Sequence, residues 1–409
     1  MIKRSMLLLV ALAATLGAAG TQAAENPTVS KNLAKPLKAA MDALQSRNFD
    51  GAITSAKEAQ AASGEKSAYD KFVINEILGA AYAKKQPPDY TATAQAYEAN
   101  MDSPYMDQNQ VATRLKILAT IFYGNKDYAK AADFGQQAIK RGTADNETTV
   151  LVAQAFYLQN KYKDAAASMQ EVVNKQEKPD EKSLKFLWDC YLKLNDQGNV
   201  GKVLEKLVTY YPKPDYWENM MASLLKSADT HDEHLQLNIY RLMADVGILK
   251  RPADYTDMAQ LAIYQGYPGE TQQVLEQGFS KNVFTDQRDK ERNQRLLDDA
   301  KKRAATDQGQ LTQSEKEAAA AASGDASVAL GADYLSYGMA EKAVAAIQRG
   351  ISKGNLKSPE EALLLLGEAQ YKARSRDEAV KTFEKLANSN SNPGYSRLAK
   401  LWTLHVHGA

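Results

Sequence analysis

The chain has 409 residues, enough for one large core or for a run of stacked modules. Its content of 44% hydrophobic and 25% charged residues excludes wholesale disorder. With 51 basic against 50 acidic side chains, it offers no electrostatic case for nucleic acid or for an acidic membrane surface, both of which need concentrated basic charge.

Residues 1–23 read as a secretory signal peptide. Lys3 and Arg4 form a basic start, and Met6 to Leu16 is a Leu, Val and Ala run too short to span a bilayer. Thr21, Gln22 and Ala23 place small residues at the third-last and last positions before a cut ahead of Ala24. The competing reading is a buried N-terminal helix. No cysteine lies at the cut, so the leader does not look like that of a lipoprotein. No later stretch is apolar enough to insert in a membrane, and the expected location of the cleaved product is the periplasm. The single cysteine, Cys190, cannot form an internal disulfide, so packing alone must hold the exported fold. It lies in an apolar helical pattern and reads as a buried, inert thiol rather than a redox or nucleophilic one.

After a linker at 24–33, the chain reads as helical throughout, rich in Ala, Lys, Glu, Gln and Leu. A block at 34–213 holds five hairpins. They are 34–62 with Phe49, Ala52 and Ala56, 68–100 with a lengthened turn at Pro87 and Pro88, then 111–141, 146–175 and 181–211, the last with an insertion around Asn195, Asp196 and Gln197. Residues 214–281 look like two degenerate hairpins, 214–247 and 252–279, marked by Trp217 and Tyr240, and by Tyr264 and Tyr267. A long charged helix is expected over 282–323, broken at Gly309 and resumed from Glu315, with acid-first pairs at Glu291/Arg295, Asp298/Lys302 and Asp299/Arg303. It reads as a solvated connector, with a partner-docking or coiled-coil arm as the sharper alternative. A hairpin pair occupies 324–392, at 325–353 and 359–388, and a capping helix 393–409. Capping boxes are expected at Thr230/Glu233, Ser314/Glu317 and Ser358/Glu361. Helix stops are expected at Gly142, Gly324 and Gly354.

Self-similarity decides the fold. Leu118, Ala119, Phe122, Tyr128, Ala131 and Ala138 recur 34 residues later as Val152, Ala153, Phe156, Tyr162, Ala165 and Val172. Gly331, Ala343, Val344 and Ile347 recur 36 residues later as Gly367, Ala379, Val380 and Phe383. In each hairpin a small residue of the first helix (Gly79, Ala119, Ala153, Gly331, Gly367) is expected to face a small residue of the second (Ala131, Ala165, Ala343, Ala379), so that the backbones approach closely. One hairpin cannot bury its apolar stripe alone, so neighbours stack. The pattern resembles the tetratricopeptide repeat family over most of the mature chain. The implied fold is an all-α solenoid of stacked hairpins, in two blocks joined by the long charged helix.

No phosphate-binding glycine loop or nucleophile elbow appears. His231 and His234 could share a helix face, but no ligand-spaced partner accompanies them, and His405 and His407 do not share one. No enzyme activity, cofactor or metal is expected. The expected function is a non-enzymatic scaffold or adaptor that binds a protein or peptide partner. On the repeat alignment, the first-helix positions facing the concave side are Lys116 and Tyr123, Gln154 and Tyr157, then Lys185, Asp189 and Lys193. The packing pattern does not require them. Rings supply contact area, while amide and ammonium groups supply hydrogen bonds to a peptide or helix; the competing reading is a solvated wall. The carboxylate clamp of chaperone-tail-binding repeats is matched by Lys116 and Lys182 but broken at Thr120 and Leu151.

Roughly half of the chain has a narrower resemblance, carried by the runs Tyr211 to Trp217, Leu330 to Gly338, Lys353 to Lys357 and Arg397 to Trp402. These look like exported tetratricopeptide-repeat proteins often encoded beside TonB, ExbB and ExbD, which energise outer-membrane transporters. The resemblance implies a link to TonB-dependent energy transduction. The alternative is a scaffold for envelope biogenesis: exopolysaccharide secretion, outer-membrane assembly or cell-wall enzymes.

Overall fold

The computed structural model describes residues 27–227, 232–389 and 392–408. The expected leader, Thr230 and His231 lie outside the described residues. Among those described, every regular element is an α-helix. The chain divides into two compact units, one up to Ala155 and one from Phe156 on.

The first unit holds the hairpins α1 (Lys31–Gln45) with α2 (Phe49–Ala61), α3 (Ala68–Lys84) with α4 (Tyr90–Glu98), and α5 (Gln108–Gly124) with α6 (Tyr128–Lys140). Helix α7 (Asn146–Leu158) begins in the first unit and ends in the second. The second unit continues with α8 (Tyr162–Asn174), α9 (Glu181–Lys193), α10 (Gln197–Tyr210), α11 (Pro214–Leu225), α12 (Glu233–Val246), α13 (Pro252–Tyr264) and α14 (Pro268–Ser280). It ends with α15 (Gln287–Ala320), α16 (Asp325–Ser336), α17 (Ala340–Lys353), α18 (Pro359–Lys372), α19 (Arg376–Ala387) and α20 (Pro393–Gly408).

The hairpin turns share one solution. In seven of them, three residues separate the helices and the middle one has a positive φ: Arg47, Lys126, Asn160, Asn195, Gly266, Gly338 and Arg374. Asn195 is therefore part of an ordinary turn, and the insertion expected there is absent. A left-handed middle residue reverses the chain in the fewest steps, and Asn and Gly tolerate it best. Side chains at the turn ends then cap the second helices: Asn48, Asp127 and Asp196 each accept a hydrogen bond from a first-turn backbone N–H.

Ala119, Ala131, Ala153, Ala165, Ala343 and Ala379 are fully buried, as the repeat alignment requires. The expected small-against-small facing needs correction, however. A Cβ on Gly79 would collide with the Tyr97 ring, one on Gly331 with Ile347, and one on Gly367 would lie 2.5 Å from Phe383 Cε1. Ile347 and Phe383 sit one helical turn beyond Ala343 and Ala379. Each close approach thus places a large second-helix side chain on a first-helix glycine, and at Gly331 the Ala343 carbonyl is close too, 3.2 Å from where a Cβ would stand. In the third hairpin the sizes are shared differently: Gly135 faces Ala119, and Val152 of the next helix fills the space.

Helix α15 is continuous through Gly309 and Ser314, so neither the expected break nor that capping box forms. Gly309 has open space around its Cα, and a helix of 34 residues tolerates one glycine at a cost of about 1 kcal/mol. The helix is not a wholly solvated connector. Asn293, Leu297, Ala300, Ala304 and Ala318 are buried along one side, and Asn293 accepts a hydrogen bond from Thr256 Oγ1 at 3.2 Å. Asp299 pairs with Arg303 at 2.9 Å, and Lys301 reaches Glu276 of α14 at 3.0 Å. At its C-terminus Lys353 Nζ donates to the carbonyls of Ala318, Ala319 and Ala321, a cationic cap on the negative end of the helix dipole. Gly324 starts α16 rather than ending a helix, whereas Gly142 and Gly354 follow helices with positive φ, as expected. Ser358 makes no side-chain cap, and Glu361 pairs with His234 at 2.9 Å.

Replacing Gly367 with Leu should overpack the α18–α19 crossing and lower unfolding free energy by ~1–3 kcal/mol. The loss should shrink in a Phe383→Ala background, where the ring that blocks the side chain is gone. Denaturant midpoints of the four chains in the cycle check this; equal losses in both backgrounds would show that the two residues do not share the space.

Candidate site on the first helices of the repeats

The seven expected groove residues fall in both units. Lys116, Tyr123 and Gln154 belong to the first, and Tyr157, Lys185, Asp189 and Lys193 to the second. All lie on first helices of hairpins, α5, α7 and α9.

In the first unit, Tyr123 is half-buried and donates its hydroxyl proton to Gln154 Oε1 at 3.2 Å. Its ring meets the edge of Tyr128 at 5.6 Å, and burial raises its hydroxyl pKa. Lys116 Nζ is 3.0 Å from Asp145 Oδ2. Burial opposes ionisation of Asp145, but bonds from Thr148 and Lys116 outweigh it and hold the carboxyl at about 2. Asp145 also receives the Thr148 backbone N–H and hydroxyl, so Lys116 is tied to the start of α7.

In the second unit, the Tyr157 hydroxyl donates to the Asp189 carboxylate. That bond, then burial, pushes the phenol up to about 12. The ring packs on Tyr162 and Phe186, both at 5.3 Å. Lys185 and Lys193 are exposed. Tyr123 and Tyr157 were expected to be dispensable for packing, and the structure corrects this: each bonds the next repeat's first helix, 31 and 32 residues on. Tyr371 to His405 repeats the device, while Tyr216 of α11 reaches back to Glu181 of α9. The hydroxyls of Tyr123 and Tyr157 hold successive hairpins in register.

Sequence reasoning missed the exposed leucines. Leu158, the last residue of α7, and Leu192, next to last in α9, are 47% and 44% exposed, with Leu194 at 39%. The two hairpins are 35 residues apart, so Leu192 stands at the Tyr157 position and Leu158 at the Lys193 position. The signal was available there: apolar residues at positions that the core does not use. Tyr264, at the end of α13, is 78% exposed.

Cys190 is buried, and burial, then the Asp189 charge, pushes its thiol up to about 12, which removes thiolate character. His234 bonds Glu361 at 2.9 Å and His405 bonds Asp245 at 2.6 Å. Among the described residues no three His, Cys, Asp or Glu side chains converge as a metal site, and no helix is long and apolar enough to cross a membrane.

The runs behind the narrower resemblance are packing elements. Trp402 is buried and stacks on Phe383 at 5.5 Å, Trp217 is buried, and the Tyr337 hydroxyl donates to Asp307.

The tetratricopeptide repeat family profile matches residues 361–392. No curated protein matches in sequence. Among solved structures, a tetratricopeptide repeat protein from Parabacteroides merdae is 12% identical, covering 72% of this chain and 99% of its own, with a TM-score of 0.27. The TPR2AB domain of yeast Sti1 in complex with pHSP90 is 15% identical over 73% of this chain and 99% of its own, with a TM-score of 0.24. Naa15/Naa10 bound to HypK-THB is 12% identical over 87% of this chain and 63% of its own, at 0.27.

Tyr157→Phe should cost ~0.5–1.5 kcal/mol by removing an inter-repeat hydrogen bond, and much less in an Asp189→Asn background. A double-mutant cycle on the thermal midpoint measures the coupling; a coupling of zero would mean that the hydroxyl does not hold the repeats.

Proposed function

Because the chain is built from tetratricopeptide-type hairpins, we propose that it is a non-enzymatic scaffold or adaptor that binds a protein partner in the periplasm, in connection with TonB-dependent energy transduction. The observation that carries the binding reading is the exposed pair Leu158 and Leu192 at the ends of the first helices α7 and α9, with Lys185 and Lys193 also exposed on α9. Burial in a partner would remove their apolar surface from water, and at ~25 cal/mol per Å² a leucine contributes on the order of 1 kcal/mol or more. The rim lysines add attraction to an acidic partner and act mainly on the association rate. Tyr157 supplies a ring already fixed by its bond to Asp189, so ordering it on binding costs little. The location rests on the leader-like residues 1–23, and the TonB connection on the four resembling runs.

A photo-crosslinking residue at position 158 or 192, in cells carrying the full-length gene, tests this reading. The expected outcome is a periplasmic chain whose intact mass begins at Ala24 and which crosslinks to one discrete envelope protein. Leu158→Ser with Leu192→Ser should weaken that partner's binding by about 30-fold or more, equivalent to ~2 kcal/mol, without a change in folding. An uncleaved cytoplasmic chain, or binding indifferent to both serines, would contradict the proposal.

A further inference from the structure

Helices α12 and α13 of the second unit border a groove of about 420 Å³. Its lining includes none of the residues that carry the scaffold reading. One row of side chains comes from α12, Glu233, Gln236 and Tyr240; the other comes from α13, Asp257, Gln260 and Tyr264. Both rows follow the i, i+3, i+7 spacing of a single helix face. The rows run antiparallel. At one end Gln265 Nε2 donates to the Glu233 carbonyl at 2.9 Å, and at the other the Tyr240 hydroxyl donates to Asp257 Oδ2 at 3.3 Å. Each end therefore offers a carboxylate and a tyrosine, Glu233 with Tyr264 and Asp257 with Tyr240. The two glutamines lie between, and seven residues of helix rise set the ends about 10 Å apart.

The lining holds two carboxylates and no cationic side chain. Among the described residues neither Glu233 nor Asp257 has an ion-pair partner. The cations near them in sequence are committed elsewhere. Arg251 senses the Asp257 charge, but its Nε is 3.1 Å and its Nη2 2.6 Å from Asp254 Oδ1. Lys250 is 2.6 Å from Glu218, and His234 bonds Glu361 at 2.9 Å. Tyr264 is 78% exposed, more than any other large hydrophobic side chain among the described residues. An aromatic ring in water beside a carboxylate suits a cation, and a guanidinium best: it stacks on the ring and offers the carboxylate a planar fork of N–H donors. Gln236 and Gln260 carry both donors and acceptors, which match the free N–H and C=O groups of an extended peptide; a helix has satisfied its own. In a polyproline-type segment, residues three apart share a face and lie about 9 Å apart, close to the separation of the two ends.

We propose that the α12–α13 groove docks an extended basic segment of a partner protein, with two arginines three residues apart. One arginine lies against Tyr264 and Glu233, the other pairs with Asp257, and Leu261 takes an aliphatic stem. The charge of the lining sets the sign of the segment, the exposed ring selects arginine, and the length of the groove sets the spacing.

The test uses the whole chain and the peptide acetyl-Gly-Arg-Ala-Pro-Arg-Gly-amide, followed by titration calorimetry. Saturable one-to-one binding with a Kd on the order of 1 mM or tighter is expected, weakening as salt is added. The same peptide with citrulline in place of both arginines keeps the shape and removes the charge; it should bind about tenfold more weakly or worse. Tyr264→Ala should weaken the arginine peptide about threefold to tenfold. Glu233→Gln with Asp257→Asn should weaken it by about tenfold or more and flatten the salt dependence. Both variants should keep the parent's unfolding midpoint closely, since the altered side chains are exposed. Leu158→Ser with Leu192→Ser should leave peptide binding unchanged, so this site and the leucine face succeed or fail separately. No saturable binding up to about 5 mM, equal binding of the citrulline peptide, or indifference to the groove variants would overturn the proposal. So would loss of binding in the leucine variant, which would move the peptide to that face. Self-association that Tyr264→Ala abolishes, read by light scattering, would assign the groove to a second copy of the chain instead.

Discussion

Each hairpin depends on the close approach of its two helices, and that approach depends on unequal side chains. Gly79 against Tyr97, Gly331 against Ile347 and Gly367 against Phe383 let backbones come together only because one partner has no Cβ. The large partner buries most of its ring or chain in the space released, which is how a hairpin of about 28 residues acquires a core at all. Turns with a left-handed middle residue fix the helix spacing, and hydroxyls such as Tyr157 fix one hairpin on the next.

Packing between successive hairpins is sufficient for an open array, but the second unit adds contacts that join residues far apart in sequence. Asp245 of α12 receives His405 of α20 and Lys372 of α18, His234 bonds Glu361, and the Tyr395 hydroxyl donates to Asp232 at 3.2 Å. These contacts span 127 to 163 residues. Burial opposes the Asp245 charge, but the bonds from His405 and Lys372 hold its pKa below the usual carboxylate value. That carboxylate therefore favours the closed arrangement above the unfolded-state pKa and loses its contribution as pH falls through the lowered folded-state value. Closure brings α18 against α12, where Lys372 lies 3.2 Å from Asp245 and 4.0 Å from Glu368.

The repeat spacing made the hairpins legible, because burial of Ala131 and Ala165 follows from a 34-residue recurrence of small residues. Which side chain each glycine meets was not legible, since Phe383 and Ala379 lie on neighbouring turns of one helix and pattern alone does not choose between them. Gly309 misled because propensity is a weak local preference, overruled here by a side of α15 buried at Leu297, Ala300 and Ala304. The candidate binding positions could be placed on first helices, but their hydrogen bonds could not: Tyr157 and Asp189 are joined only by the stacking angle. The long-range pairs at Asp245 leave no periodic trace, because a single carboxylate meeting a histidine 160 residues on has no repeat to betray it.

Hydrogen exchange on an Asp245→Ala chain, read by mass spectrometry, tests the closure of the second unit most directly. Protection should fall together in α12, α18 and α20, although these helices are far apart in sequence, while α8 and α9 keep theirs. A loss confined to α12 and its sequence neighbours α11 and α13 would contradict the account and leave an array held only by adjacent hairpins.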